Sequence, residues 1–291
     1  MIGMWEFALL FIPLAILIGV AAASISFTAW NIVVPLAFVG LKFPVYDAIF
    51  LSIIIDLVDS LILTVIYAKN GRVDFKDGLK WALPTLIGAG IAYVFSEDFL
   101  TGNPDMLKGG VSYFVMIIGA TFLIRGIKGI KKTKNTDISS PSESHGNKIK
   151  HLDNEEDKKK KTNLSKKWIV PAIVLGMGVS GALGGLVGMG SGTNFVVILL
   201  IFIPAYDLAT ATGTGAFLMF LLMALCAILF VGYIDISFLG VYLLISVTFS
   251  AIGTLIAAKF AVTLSKEKLN LAVGIVVLIA AIASSIQSIF L

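Results

Sequence analysis

Long apolar runs, set off by a few charged intervals, dominate the chain. Runs at about 7–41, 46–68, 78–96 and 108–128 precede a charged stretch, and runs at about 168–203, 207–231, 236–259 and 269–290 follow it. About 20 residues of helix cross roughly 30 Å of hydrocarbon, so several of these runs are long enough to span a bilayer. The first run on each side is too long. Glu6 to Lys42 encloses 35 uncharged residues and Lys167 to Asp207 encloses 39. As straight helices both would exceed ~50 Å at 1.5 Å per residue, so each must bend back or break. Asn31 and Pro35 offer the break in the first half, and Gly188 to Asn194 in the second. Each half is then expected to hold a hairpin of one long and one short helix, followed by three spans. The fold class is an all-α polytopic membrane protein with about 8–10 membrane elements.

Composition agrees. The 291 residues are 58% hydrophobic and 14% charged, with a mean hydropathy of +0.97, well outside the range of soluble domains. No basic stretch precedes the first apolar run, which reads as a membrane segment rather than a cleaved signal. Cys226 is the single cysteine, which excludes an internal disulfide and a cysteine-cluster metal site. No cofactor is expected. The net charge of +4 does not point to nucleic acid, because it is concentrated in residues 131–167. That segment carries 11 of the 22 basic residues and both histidines, His145 and His151. High charge and low apolar content mark it as a solvated linker. It divides the chain into a first transmembrane repeat, 1–130, and a second, 168–291. A lipid-headgroup role for the linker is the less favoured reading.

The two halves resemble each other. Pro44, Tyr46 and Asp47 of "FPVYDA" match Pro204, Tyr206 and Asp207 of "IPAYDLA". Further on, "GRVDF" at 71–75 matches "GYIDI" at 232–236, and earlier "WNIVV" at 30–34 matches "TNFVV" at 193–197. Internal duplication is a recurrent plan of secondary transporters. Loop charges orient the repeat, because Lys and Arg collect in cytoplasmic loops. With the lysine-rich linker inside, the loop carrying Lys69, Arg72, Lys76 and Lys80 is also inside, and the acidic loop with Glu97, Asp98 and Asp105 is outside. An inverted second half puts Lys259, Lys266 and Lys268 inside as well; a parallel one does not. Inverted repeats with both termini outside are expected.

The stretch "GLVGMGSGTNFVV" falls where the second half must break. Irregular backbone is tolerated at membrane depth only where it is buried in protein or lines a cavity. Gly190 and Gly192 allow close approach of a ligand or another backbone. Ser191, Thr193 and Asn194 are suited to start a helix, whose free N–H groups and positive dipole end can hold an anion without a cationic side chain. Asn31 holds the corresponding place in the first half, with Ser26 and Thr28 before it, and Thr212 and Thr214 on the next span could add hydroxyl donors. The plainer alternative is that these glycines only let helices pack.

These features resemble the sulfite exporter TauE/SafE family, also called the 4-toluene sulfonate uptake permease family. The likeness rests on "GGLVGMGSGTNFVV…PAYDLATATG", on the weaker "TAWNIVVPLAF…FPVYDA", and on the Gly-x-x-Asp after the following span in each half. It covers nearly both halves, leaves out 131–167, and departs in the first half, where "SISFTAW" replaces a glycine-rich run. The resemblance implies a secondary transporter of small sulfur-containing or organic anions such as sulfite, thiosulfate or sulfonates, in the cell membrane.

Asp56 and Asp59 lie well inside the span 46–68, three residues apart and so on one helix face. Intramembrane carboxylates cost about 2.5–3.5 kcal/mol each on insertion scales and default to a functional reading. Coupling to H⁺ or Na⁺ is expected there, with a shared proton between the two acids. The alternative is a structural pair bonded to neighbouring hydroxyls. Ala216 and Met219 occupy the matching places in the second half. Asp47, Asp207, Asp74 and Asp235 sit at or near span ends and read as helix caps or first-turn acids that fix loop geometry. Trp5, Trp30, Trp81 and Trp168 read mostly as an interfacial belt. An enzyme is disfavoured, since no histidine or nucleophile–base pair lies in a span; a cation carrier or channel built on Asp56 and Asp59 is the competing function. Lipid is the surrounding partner, and a homo-oligomer is left open.

Overall fold

The computed structural model describes residues 4–102, 120, 123–124, 127, 166–203, 205–260 and 275. The linker up to residue 165 lies outside them, as do nearly all of the runs at 108–128 and 269–290. Every regular element among the described residues is a helix. In chain order these are α1 (Met4–Ile25), α2 (Trp30–Val34) running into a wider π-type turn (Pro35–Gly40), α3 (Val45–Lys69), α4 (Phe75–Tyr93), α5 (Ser96–Thr101), α6 (Lys166–Val187), α7 (Gly192–Phe202), α8 (Leu208–Phe230) and α9 (Ile236–Phe260). Five of them, α1, α3, α6, α8 and α9, are long and apolar enough to cross a membrane. Many large apolar side chains on these helices are exposed, among them Leu175, Ile228 and Leu244, as a lipid-facing surface requires. The run expected at 78–96 forms α4, which is not among the five and carries Lys76, Asp77 and Lys80 in its first turns.

Both overlong first runs break, and by the same local device. α1 is ended by Ser26 at φ 54° and α6 by Gly188 at φ 66°. Each of these residues closes the last helical turn with a backbone bond, Ser26 N–H to Ala22 C=O at 3.0 Å and Gly188 N–H to Gly184 C=O at 2.8 Å. A left-handed residue after the last turn is a common helix stop. Glycine adopts it freely, whereas an L-residue pays roughly 1–2 kcal/mol. The second-half break therefore falls at 188–191, inside the expected stretch. The first-half break falls at 26–29, before Asn31 and Pro35. Those two residues lie within the returning helix, and Pro35, lacking an N–H, stands where its turns widen.

Seven pairings build the bundle. α1 packs along α9 and α4 along α6; α3 lies between α8 and α9, α8 also touches α4, and α2 and α7 lean on α3 and α8. The α1–α9 pair is parallel, with Phe7 against Tyr242 and Thr254 Oγ1 donating to Gly19 C=O. The α4–α6 pair is parallel too. Glycine makes it close: a Cβ on Gly181 would strike the carbonyl of Thr85, and one on Gly185 that of Ala89. α3 and α8, which hold matching places in the two halves, pack antiparallel. Tyr46 at the start of α3 stacks on Tyr233 just past the end of α8, ring centroids 4.7 Å apart. At the opposite end, Arg72 Nη1 is 2.6 Å from Asp207 Oδ2.

The bundle thus has two distinct ends. One gathers Phe43, Asp47, Glu97, Tyr233 and Asp235; the other gathers Lys69, Arg72, Asp74, Tyr206 and Asp207. Three of the four acids at the span ends are helix caps. Asp74, Asp207 and Asp235 accept N–H bonds from Asp77, Thr210 and Phe238. The Thr210 N–H keeps the Asp207 carboxyl below its ordinary range, and the Ser237 hydroxyl does the same for Asp235. Asp47 is a first-turn acid: Pro44 holds the cap position of α3, and Asp47 accepts the Asp235 N–H from the other half at 3.3 Å. The tryptophans divide as well. Trp5 and Trp168 are exposed, but Trp30 and Trp81 are buried and form no belt.

Candidate functional site

The two breaks meet. Thr193 Oγ1 donates to Ser26 C=O at 2.9 Å, and Trp30 Nε1 donates to Val187 C=O at 2.8 Å. The junction is close because position 190 has no side chain: a Cβ there would lie 2.5 Å from Asp56 Oδ2, 2.7 Å from Thr28 Oγ1 and 2.8 Å from Met219 Cε. A Cβ on Gly192 would meet Met219 Sδ at 2.7 Å and Ser26 C=O at 2.8 Å. Met219 therefore sits between both glycines and the rest of α8.

Asp56, 1% exposed, faces this junction from the middle of α3. Its Oδ2 accepts the Thr28 hydroxyl at 2.5 Å and its Oδ1 accepts the Ala29 N–H at 2.7 Å. Thr28 Oγ1 in turn accepts the Trp30 N–H at 3.3 Å. The carboxylate is thus bonded at the start of the returning helix, where the backbone offers donors and the dipole favours negative charge. Asp59 faces another way. Its Oδ2 accepts the Ser250 hydroxyl of α9 at 2.6 Å, while its Oδ1 has no partner. Ala22, Ser26, Phe27, Ser60, Ala216 and Met219 surround a small cavity at Asp59, about the size of one water. Ser26 Oγ, also in this lining, is buried and without a partner. The two acids share a helix face, as the spacing requires, but each has its own donors instead of one common proton bond.

The residues proposed for the anion separate into two groups. Gly190, Ser191, Gly192, Thr193 and Thr28 come together at the junction, and Asn31 is buried near it with its Oδ1 unpartnered. Ser191 Oγ donates back to Ser180 C=O at 2.8 Å and does not cap α7. Asn194 is exposed, because a helix starting at Gly192 turns that position outward. Thr212 and Thr214 are buried at the start of α8, where Thr214 Oγ1 accepts the Asp74 N–H at 3.0 Å and so serves the 70–74 loop. Four residues of the site were not singled out as site residues in the sequence. Ser26 was noted only as lying before Thr28, and Ser250 carried no motif. Ala216 and Met219 stood out only as the apolar counterparts of the acids.

Residues 11–284 match the sequence profile of the family described as Sulfite exporter TauE/SafE. The chain belongs to the TauE/SafE family. Searches of curated proteins and of solved structures return no match. As a member of a membrane-transporter family, this TauE/SafE protein is not an enzyme. The family and the apolar helices make it a multi-pass membrane protein, and the family suggests a small anion as its cargo. Among the described residues no group of histidine, cysteine and acidic side chains could hold a metal.

Proposed function

We propose that this TauE/SafE protein is a secondary transporter of a small sulfur-containing or organic anion, such as sulfite, thiosulfate or a sulfonate. It works by alternating access between inverted halves and is coupled to H⁺ or Na⁺ through Asp56 and Asp59. The observation that carries this reading is the junction itself, where two broken membrane segments, one from each half, abut in the bundle interior beside two intramembrane acids. Broken helices meeting at the repeat interface are how secondary transporters bind substrate and coupling ion. The anion lies at Gly190–Thr193, with Thr28 and Asn31 opposite. The start of α7 has no side-chain cap, and the positive end of its dipole favours an anion there.

The antiparallel packing of α3 on α8 supports the inverted arrangement, since matching helices run oppositely only when the repeat axis lies in the membrane plane. Charge supports the sidedness. The end with Lys69, Arg72 and Lys76 belongs in the cytoplasm, and the end with Glu97, Asp98 and Asp235 outside, at the cell membrane.

Flux into liposomes tests the reading. Purified protein should accumulate labelled thiosulfate or sulfite under a pH or Na⁺ gradient. About tenfold accumulation per unit of pH is the limit for one proton per anion. Passage of cations alone would replace the anion transporter with a cation carrier.

A further inference from the structure

We propose that Asp56 is a resident anion, filling in the first half the place that the transported oxyanion takes in the second. That second place is the cavity beside Ala216 at the start of α7, where Asp59 meets the oxyanion with a proton. This rests on the transporter reading above and divides the work of its two acids.

The repeat supplies the register. Asn31 with Asn194 pairs Thr28 with Ser191 and Ala29 with Gly192; Asp47 with Asp207 pairs Asp56 with Ala216 and Asp59 with Met219. In the first half a hydroxyl and an N–H, from Thr28 and Ala29, close on the Asp56 carboxylate. The second half keeps the N–H of Gly192 and a hydroxyl at Ser191, but with no carboxylate to meet, that hydroxyl donates to Ser180 C=O, and position 216 contributes only a methyl group. A free oxyanion can supply the missing charge. The cavity is in the right place: Ala216, Ser26 and Met219 line it, and the last two press on Gly192. Two polar atoms without partners belong to its lining residues, Ser26 Oγ (residue 4% exposed) and Asp59 Oδ1 (1%). Met219 is unbranched and flexible. Swinging its thioether aside joins the water-sized cavity to the side-chain-free backbone at Gly190 and Gly192, which Met219 now covers, and makes room for the oxyanion.

Asp59 is the proton carrier because no cation balances its charge and, unlike Asp56, one of its oxygens has no donor. α3 itself adds only Asp56. α1 and the first break present Ala22, Ser26 and Phe27; α8 presents Ala216 and Met219; α9 presents Ser250 and Thr254. None is cationic. Deprotonated, Asp59 would repel the oxyanion; protonated, it donates from Oδ1. A hard cation such as Na⁺ takes about six oxygen ligands, and this lining offers two free side-chain oxygens among alkyl, aromatic and thioether groups. Asp56 keeps its charge on its two donors throughout and acts as a positioning residue for the break.

The test is thiosulfate binding by calorimetry on the full chain in lipid nanodiscs across pH, together with infrared spectra of the same samples. Wild-type affinity should fall as pH rises through the titration of Asp59, and Asp59→Asn should abolish that dependence. Ala216→Asp, which builds a second resident anion, should weaken binding about tenfold or more through charge repulsion at contact distance; Ala216→Asn, of equal size and uncharged, should lose less. The protonated-carboxyl C=O band should vanish in Asp59→Asn and persist in Asp56→Asn. Wild-type affinity in Ala216→Asp overturns the proposal, as does a band that vanishes with Asp56 instead of Asp59. Wild-type protein that binds none of thiosulfate, sulfite and sulfoacetate refutes the anion reading itself, and this one with it.

Discussion

Replacing Gly190 by alanine adds one methyl group at the point where the two halves come closest. Its Cβ would lie 2.5 Å from Asp56 Oδ2, 2.7 Å from Thr28 Oγ1 and 2.8 Å from Met219 Cε. Ordinary carbon contacts need about 3.5 Å or more, so something must move by the better part of an ångström. Met219 can, at little cost. Asp56 and Thr28 cannot both withdraw and keep the hydrogen bond between them. Overpacking of this kind costs roughly 1–3 kcal/mol, and the strained or broken bond adds about 0.5–1.5, giving roughly 2–4 kcal/mol. At about 2–4 °C per kcal/mol for a domain of this general size, thermal unfolding of the detergent-purified protein should begin some 4–16 °C lower. Gly90→Ala is the control. It lies in α4, nothing stands within 4 Å of its Cβ, and alanine is the better helix former by about 0.5–1 kcal/mol; its midpoint should hold or rise. A Gly190→Ala protein as stable as wild type would show that the breaks do not abut as described, and would remove the observation on which the proposed site depends.

The α4–α6 contact gives a sharper pair. Gly181→Ala drives its methyl into the backbone of Thr85, which no rotamer change relieves, and should reduce or abolish monodisperse protein; Gly178→Ala, whose Cβ lies at an ordinary 3.7 Å from Pro84 C=O, should purify normally, and equal behaviour of the two would refute the close packing. For sidedness, Ser140→Cys and Ser237→Cys in a Cys226→Ala background should be labelled by an impermeant thiol reagent from opposite faces of the membrane, and labelling from one face would sink the inverted arrangement.

Length carried the fold further than residue type did. Two uncharged runs too long for a bilayer predict two hairpins, and the structure has both. Where they break was legible only in the second half, since Gly188 announces a left-handed residue and Ser26 does not. Asn31 and Pro35 look like breakers, yet the returning helix absorbs both, the proline at a widened turn. The candidate site divides along the same line. Gly190–Thr193 was found through the glycines and the forced break. Asn194, Thr212 and Thr214 were chosen for side-chain chemistry alone, and helix phase sends the first outward while the loop at 70–74 claims the last. Conversely, Ser250 was invisible, and Ser26 and Met219 carried no assigned role, because each is ordinary in its own segment and becomes part of the site only through contacts far along the chain.

The same limit explains why the acids could be found but not assigned. Their spacing fixes one shared face and nothing about what each meets there. Asp56 meets the donors of a helix start, an arrangement suited to a charge that stays. Asp59 meets one hydroxyl on one oxygen and a cavity on the other, an arrangement suited to a proton that leaves. A duplicated chain makes such differences informative. Where the halves agree, as at the caps Asp74 and Asp235 or the hydroxyls Thr28 and Ser191, both copies must solve the same folding problem. Where they disagree inside the bundle, at 56 against 216 and 59 against 219, folding does not demand the acid, since one copy forms the same helix with alanine and methionine. The burial cost borne by Asp56 and Asp59 therefore has to be explained by what the halves do together.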